Sequence, residues 1–186
     1  MSQALYLANA ICKLMPPSRC FRLKAKIWRA SGLDIHHSAR IVSSVSFWGS
    51  DISVGEDTFI GHDVYIAGSV EGPVKIGSWV DIAPRTNILS GTHEIDMVGN
   101  HTAGRGHCLP ITIEDGAWVG AGCTVVGGVI IGKKSMIGAG SVVVNDIPPY
   151  CLAVGIPCKP IKYWDRTSNK WTTSSTHISL EDVHEG

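Results

Sequence analysis

The chain has 186 residues, the size of one ordinary domain, and is long enough to bury a substantial core. Sixteen basic and sixteen acidic side chains give a formal net charge of zero, so no overall field marks it as a nucleic-acid-binding protein. Hydrophobic residues make up 44% of the chain and charged residues 17%, which is too apolar for a disordered protein. No apolar run approaches the ~20 residues of a membrane span. Its six cysteines form no CxxC pair, which favours reduced thiols in a cytosol.

Residues 1–33 are predicted to form an N-terminal helical cap, with a helical pattern over residues 4–29 that breaks at Pro16 and Pro17. The apolar stretch at 4–15 lacks a basic start and a cleavage site of small residues, so we expect no signal peptide. The cap carries only basic charges, and these are Lys13, Arg19, Arg22, Lys24, Lys26 and Arg29. It is interpreted either as a solvated cap or as a basic amphipathic element that contacts anionic lipid head groups.

An apolar residue recurs every six positions through the middle of the chain. The repeat residues are Ile35, Ile41, Phe47, Val54, Ile60, Ile66, Ile76, Ile82, Ile88, Ile113, Val119, Val125, Ile131, Ile137 and Val143. A period of six fits neither a helix nor one long strand, but it fits a short strand and a turn repeated many times. Stacked coils of three such units bury what no single coil can bury. We therefore predict an all-β fold, a parallel β-helix of about five coils over residues 34–149.

The breaks in the repeat divide the predicted β-helix. The coils are expected at residues 35–53, 54–71, 76–93, 113–130 and 131–148, with a loop insertion at 94–112. Small or β-branched residues stand four positions after most repeat residues and are expected to face inward at crowded corners. They are Thr58, Val64, Val70, Val80, Thr86, Thr92, Ala117, Cys123, Val129, Ser135 and Ser141.

Residues 150–186 follow the β-helix. Pro148 and Pro149 end the strand pattern. Residues 150–164 are predicted to be extended and rich in turns, and the polar tail at 165–186 is predicted to be mobile.

An ordered set of motifs over residues 35–163 resembles the hexapeptide-repeat acyltransferases, in particular the maltose, galactoside, nodulation-factor and polysaccharide O-acetyltransferases. The motifs are Ser-Gly-Thr-His at 90–93, Leu-Pro-Ile-Thr-Ile at 109–113, Ala-Trp-Val-Gly-Ala-Gly at 117–122, Ile-Gly-Ala-Gly-Ser-Val at 137–142, Asp-Ile-Pro-Pro at 146–149 and Ala-Val-Gly-Ile-Pro-Cys-Lys-Pro-Ile at 153–161. The resemblance implies a left-handed β-helix, a homotrimer with sites between neighbouring subunits, acetyl-CoA as the acyl donor without a metal, and a sugar or glycan as the acceptor.

The resemblance implies that His93 is the general base and that the acceptor attacks acetyl-CoA directly, without an acyl-enzyme. Acetyl transfer to an alcohol requires removal of the hydroxyl proton as the oxygen attacks the thioester. A free imidazole, with a pKa of ~6.5, is largely neutral at pH 7 and can take that proton. Glu94, Asp96 and a backbone carbonyl remain open as the group that orients His93.

The expected contacts with acetyl-CoA also come from the resemblance. Small residues let the pantetheine lie along the backbone, although turns between coils explain the same glycines. Where the family has Thr-Lys this chain has Val144 and Asn145, so the phosphates are expected to depend on two later lysines. The predicted cofactor-binding residues are Trp118, Gly120, Ala121, Gly138, Ala139, Val144, Asn145, Lys159 and Lys162.

On the acceptor side the chain departs from the family. The asparagine that meets the sugar falls near Gly61 or His62, and His62 or Asp63 is predicted to replace it. The insertion is expected either to reach over a neighbouring subunit's site or to be a solvated loop. Its candidate residues are His101, Arg105, His107 and Cys108, of which Cys108 is not expected to be a nucleophile.

The sequence leaves three alternatives to O-acetylation. A zinc site of the carbonic anhydrase type is disfavoured because the histidines at 62, 93, 101 and 107 lack that family's spacing. A non-catalytic trimer and N-acetylation of an amino-sugar nucleotide stay open. We expect a cytoplasmic protein, with peripheral contact to the inner membrane face through residues 1–30 as an option.

Overall fold

Parallel strands wound into coils build the body of the protein in the computed structural model, which describes residues 2–173. Two helices come first, α1 (Gln3–Lys13) and α2 (Phe21–Ala30). In chain order the strands are β1 (Asp34–Ile35), β2 (Arg40–Ile41), β3 (Ser46–Gly49), β4 (Ile52–Val54), β5 (Phe59–Ile60), β6 (Tyr65–Gly68), β7 (Val74–Ile76), β8 (Asp81–Ile82), β9 (Asn87–Leu89), β10 (Gly91–Ile95), β11 (Ala103–Cys108), β12 (Ile111–Ile113), β13 (Trp118–Val119), β14 (Thr124–Val126), β15 (Val129–Ile131), β16 (Met136–Ile137), β17 (Val142–Val143), β18 (Cys151–Gly155), β19 (Cys158–Asp165) and β20 (Lys170–Thr172).

The strands stack in three sheets along the coil axis. Sheet one has the order β1-β4-β7-β12-β15, sheet two the order β2-β5-β8-β13-β16-β18-β19-β20, and sheet three the order β3-β6-β9-β14-β17. Each coil contributes one strand to every sheet. After the fifth coil, a bridge from Ile147 to Ile131 and strand β18 begin another turn, so the β-helix has about six turns rather than the five predicted.

The repeat residues form the core, as the period of six predicts. All fifteen are at most 2% exposed. Nine of the residues four positions later are also buried, but Val70 is 79% exposed and Thr92 is exposed. The prediction fails at these two positions because the chain leaves the coil there.

The insertion is an antiparallel β-hairpin rather than an irregular loop. Strands β10 and β11 pair from Gly91 opposite Cys108 to Ile95 opposite Ala103. It therefore starts three residues before the predicted boundary of residue 94.

Residues Ile111 and Ile113 are both 0% exposed in β12, because alternate residues of a strand face the same side.

The two helices close the first coil. The indole of Trp28 packs edge-on against Phe47, with ring centroids 5.2 Å apart. Between them, Asn9 accepts a hydrogen bond from Trp28 Nε1 at 3.1 Å and donates from Nδ2 to the Phe47 carbonyl oxygen at 2.7 Å. Lys24 is fully buried and its Nζ donates to the Pro17 carbonyl at 2.7 Å, so it is no part of the predicted basic surface. Burial lowers the pKa of the Lys24 ammonium.

The C-terminal segment extends sheet two. Strand β18 runs parallel to β16, and β19 and β20 add to it in antiparallel fashion. Part of the predicted mobile tail is therefore regular structure, since β20 lies at Lys170–Thr172. The rest of the predicted tail, from residue 174, lies outside the described residues.

Candidate functional site

His93 lies on the first strand of the hairpin and is exposed to solvent. Gly106 is its cross-strand partner, and a Cβ built on Gly106 would lie 3.5 Å from His93 Nε2 and 3.6 Å from Cδ2. The imidazole thus lies over a stretch of backbone that carries no side chain. Within residues 2–173 no hydrogen bond holds either ring nitrogen, which leaves both accessible.

The base of the hairpin is fixed to the coils. The Leu109 amide donates to the Ser90 carbonyl at 2.9 Å where the two strands meet. Two glycines on neighbouring loops leave the room for this contact: a Cβ on Gly72 would lie 2.6 Å from Cys108 Cβ, and one on Gly127 would lie 2.5 Å from the Ser90 oxygen. His93 therefore lies three residues from an anchored point of the chain.

Neither carboxylate candidate orients His93. The Asp96 carboxylate accepts hydrogen bonds from the amides of Gly99 at 2.9 Å and Val98 at 2.8 Å, and these bonds hold the pKa of Asp96 below its ordinary value. Asp96 closes the hairpin turn. Glu94 is exposed at a register shift between His93 and Ile95, and it makes no hydrogen bond to the imidazole.

The other insertion residues differ in their surroundings. His101 and Arg105 are exposed, whereas His107 is half-buried opposite Thr92. The Nδ1 atom of His107 is buried without a hydrogen-bond partner among the described residues. Cys108 is half-buried, and all six cysteines are free thiols. No three His, Cys, Asp or Glu side chains in the described part of the chain converge in a way that would hold a metal ion.

The predicted acceptor residues lie at the corner between sheets two and three. Here the turns of successive coils stack, and they line a groove of about 540 Å³. The lining residues are His62, Asp63, Pro84, Arg85, Ala121 and Gly122. The groove therefore joins both acceptor candidates to one cofactor candidate, Ala121. Sequence reasoning missed Pro84 and Arg85, although they occupy the equivalent turn of the third coil.

Most of the predicted cofactor residues form one strip beside this corner. Trp118 is 49% exposed in β13, and register pairing runs from it through Met136 and Leu152 to Lys162. At about 4.8 Å per strand, the row from Trp118 to Lys162 spans roughly 14 Å. Lys159 pairs with Val154 in the same hairpin, so both predicted lysines lie at one end of the strip.

The glycines of the strip have two different surroundings. A Cβ on Gly120 would lie 2.6 Å from the Ala139 nitrogen, and one on Gly138 would lie 2.7 Å from a Val154 methyl. These glycines are required by the close approach of neighbouring coils. Gly122 and Gly140 instead face open space, with nothing within 4 Å of a built Cβ. The strip therefore offers room for an extended ligand above Gly122 and Gly140, two positions that sequence reasoning did not select.

Val144 and Asn145 do not join the strip. They follow the C-terminal end of β17, at the corner between sheets three and one. The hairpin of His93 leaves the coils at the same corner, two coils earlier. His93 and the acceptor groove are separated in the same way. Ser90 is five residues after Arg85, which corresponds to roughly 16 Å of extended chain at about 3.3 Å per residue. A single chain thus holds the predicted base and the predicted groove at different edges.

Known proteins share both the repeat and the fold. Residues 110–145 match the family model of the bacterial transferase hexapeptide (six repeats). The galactoside O-acetyltransferase of Escherichia coli is 35% identical over 115 residues, which cover 62% of this chain and 55% of that one. The chain spans about half the length of such curated relatives, down to 42% of one from Schizosaccharomyces pombe.

Two solved structures cover more of the chain. A hexapeptide-repeat acetyltransferase of Vibrio cholerae is 29% identical with a TM-score of 0.67, covering 87% of this chain and 91% of that one, and it has also been crystallised with acetyl-CoA. A maltose O-acetyltransferase of Clostridium difficile is 27% identical with a TM-score of 0.60, covering 87% and 89%. Structures of this kind are left-handed β-helices, so the implied hand is confirmed.

Proposed function

Because this chain is a member of the hexapeptide-repeat acyltransferase family, we propose that it transfers an acetyl group from acetyl-CoA to a hydroxyl group of a sugar or glycan. The observation that carries this proposal is the exposed imidazole of His93 on a hairpin whose base is fixed by Ser90 and Leu109. The acetyl-CoA complex of the Vibrio cholerae relative supports the choice of donor. The strip beside Trp118 leaves open space above Gly122 and Gly140, where an extended thioester could lie along the backbone.

In the proposed reaction His93 acts as the general base. One imidazole nitrogen takes the proton of the acceptor hydroxyl while its oxygen bonds to the thioester carbonyl carbon. The bond between that carbon and sulfur then breaks, and the imidazolium returns the proton to the departing sulfur. A backbone N–H is the usual partner for the oxyanion that develops. General base catalysis of this kind typically contributes ~10²–10⁴-fold to the rate.

The acceptor is proposed to meet His62 or Asp63, and the donor to contact the strip from Trp118 to Lys162. His93 lies at the other edge of sheet three in the same chain, so a site that uses both edges must form between two copies. We therefore propose a homotrimer with sites between neighbouring subunits. The outward-facing side chains of sheet three support such a contact. Among them Trp48 is 49% exposed and pairs in register with Ala67 of the next coil.

We place the reaction in the cytoplasm, in the synthesis of a cell-surface polysaccharide or another glycan. The six free thiols suit a reducing compartment. The motifs that resemble the polysaccharide O-acetyltransferases support the acceptor class.

The test is His93→Ala, assayed by release of free coenzyme thiol against sugars, oligosaccharides and nucleotide sugars. We expect kcat to fall by ~10²–10⁴-fold while acetyl-CoA binding and the trimer persist. The matched control is His37→Ala, an exposed histidine of the first coil, outside the insertion, that should keep normal kcat. A near-normal kcat for His93→Ala would overturn the assignment. An alkali-stable amide product would indicate N-acetylation, and no thiol release with any acceptor would favour a non-catalytic trimer.

Shared sites have a separate test. Subunits carrying His93→Ala are co-expressed with subunits carrying Ala121→Trp, which fills the groove. Mixed trimers should regain activity that neither variant has alone. If each site lay within one chain, mixing would restore nothing.

A further inference from the structure

The outward face of α1 is apolar although the helix lies at the surface. Leu7, Ile11 and Leu14 are 57%, 50% and 90% exposed. Leu7 and Ile11 lie one turn apart on one side of α1, and Leu14, the C-cap residue directly after the helix, continues that side. The opposite side, with Leu5 and Cys12, packs into the core. Helix α1 therefore buries one apolar face and exposes a second one to solvent.

The neighbouring helix α2 presents a basic face. Arg22, Lys26 and Arg29 are exposed and follow the same spacing of four and three residues. Lys13, the last residue of α1, and Arg19, in the segment between the helices, are exposed as well. No acidic residue occurs before Asp34, so nothing in residues 1–33 offsets these charges.

The two exposed faces belong to neighbouring helices, because α1 and α2 pack against each other at the same end of the β-helix. Helix α2 lies on β1 and β2, and α1 lies on β3, all of which belong to the first coil. We call this the end-cap surface, and define it by Leu7, Ile11 and Leu14 together with Arg22, Lys26 and Arg29.

We propose that the end-cap surface binds the face of a lipid bilayer that contains anionic lipids. The side chains of α1 enter the boundary between head groups and acyl chains, and the basic side chains of α2 lie on the phosphates. Within residues 2–173 no helix is long and apolar enough to cross a membrane.

The positive charge of the end-cap surface argues against a second copy of the same surface as its partner. A symmetric contact between two end-cap surfaces would bring the same cations of both copies together, without an acidic partner in residues 1–33. Anionic head groups supply the opposite charge and an apolar layer beneath it. A bilayer therefore satisfies both halves of the surface.

Binding of the end-cap surface to a bilayer would fix the distance between the membrane and the proposed catalytic site. Coils stack about 4.8 Å apart, so the third coil, which carries the hairpin of His93, lies roughly 10 Å beyond the first. Only this consequence rests on the proposed function. At this distance an acceptor anchored in the membrane lies within reach of His93.

The test is co-sedimentation of the full chain with vesicles at physiological ionic strength. We expect the protein to partition onto vesicles of phosphatidylcholine mixed with phosphatidylglycerol, and to remain in solution with phosphatidylcholine alone. Partitioning should weaken as salt is added, because basic residues near an anionic surface are screened. The readout needs no turnover, so it stays informative even if the proposed reaction fails.

Two triple variants separate the contributions. Arg22→Gln, Lys26→Gln and Arg29→Gln together should lower partitioning by roughly 100-fold, at about fivefold per charge. Leu7→Gln, Ile11→Gln and Leu14→Gln should also lower it, and because these side chains are exposed the fold should persist. The matched control is Lys75→Gln, Lys133→Gln and Lys170→Gln, which removes three exposed lysines elsewhere and should leave partitioning unchanged.

Several outcomes would overturn the proposal. These are equal partitioning onto neutral and mixed vesicles, no partitioning onto either, or loss of partitioning in the control triple variant. If the α1 variant instead reduces the size of the assembly in light scattering and leaves vesicle binding intact, the surface is an interface between copies. Thermal unfolding of each variant confirms that it remains folded.

Discussion

Gly106 faces His93 directly across the hairpin, and a Cβ at position 106 would lie 3.5 Å from the imidazole Nε2. That distance is ordinary van der Waals contact, so a methyl group fits while a branched side chain displaces the ring. We expect Gly106→Ala to keep kcat within a few-fold, and Gly106→Val to lower it by about 10²-fold, since small misplacements of a catalytic group are that costly. Steady-state kinetics with unchanged acetyl-CoA affinity checks this; equal kcat values for the two variants would contradict it.

Asp96 should make the hairpin turn sensitive to acid. Hydrogen bonds from Gly99 and Val98 lower its pKa in the folded protein. Its contribution to the turn is therefore complete above the ordinary Asp pKa of ~3.9, and is lost as the pH falls through the lower folded value. We expect the amide shifts of both donors to titrate below the ordinary range in NMR spectra. Asp96→Ala should abolish this titration, and a midpoint at or above the ordinary value would contradict the assignment.

Thr58 and Thr86 occupy equivalent inward positions but make different numbers of hydrogen bonds. Thr58 donates to the Gly77 carbonyl at 2.7 Å and accepts from the Val80 amide at 3.1 Å, whereas Thr86 donates to the Gly120 carbonyl at 3.0 Å. Each lost partner in the core costs about 1–3 kcal/mol. We expect Thr58→Val to lower the free energy of unfolding more than Thr86→Val. Urea denaturation of the pair measures the difference, and the reverse order would be inconsistent with these contacts.

Gly120 and Gly122 separate packing from ligand contact. A methyl at Gly120 meets the backbone of Ala139, so Gly120→Ala should destabilise the β-helix by about 3 kcal/mol, the upper end for overpacking. At Gly122 the methyl meets open space, and the strain of φ +67° costs about 1–2 kcal/mol. If the strip binds acetyl-CoA, Gly122→Ala should raise the KM for acetyl-CoA by more than the loss of stability in this variant explains. Unfolding and KM are measured together, and an unchanged KM at Gly122 would argue against the strip.

The fold was predictable because a period of six leaves a strong record in the sequence. The residues from Ile35 to Val143 mark every coil, since each must face the same narrow interior. Exits from the coil were harder to predict. Val70 and Thr92 have the residue types that the pattern requires and yet are exposed. The chain leaves the coil at both positions, and no residue in the local sequence indicates that the coil ends there.

The candidate site was predictable only in part. His93 could be selected from its motif, but the partners of a side chain depend on contacts that sequence distance does not report. Asp96 bonds to the turn beyond it rather than to the nearby imidazole. Arg85 lines the groove because its turn stacks on that of Asp63, a relation that appears only once the coils are aligned. Lys24 looks like its basic neighbours in the sequence, but it points inward to the Pro17 carbonyl.

The hairpin of β18 and β19 and the strand β20 have a consequence for solubility. A stack of parallel strands ends in a row of unpaired N–H and C=O groups, which invites further stacking end to end. At one end α1 and α2 cover the first coil, and at the other the chain turns back on itself along sheet two. On the edge of sheet one, the Asp146 carboxylate accepts from the Ile130 amide at 2.7 Å. The first coil and the last strand of sheet one are thereby protected against end-to-end growth into filaments, which favours contacts between copies at the sides of the stack.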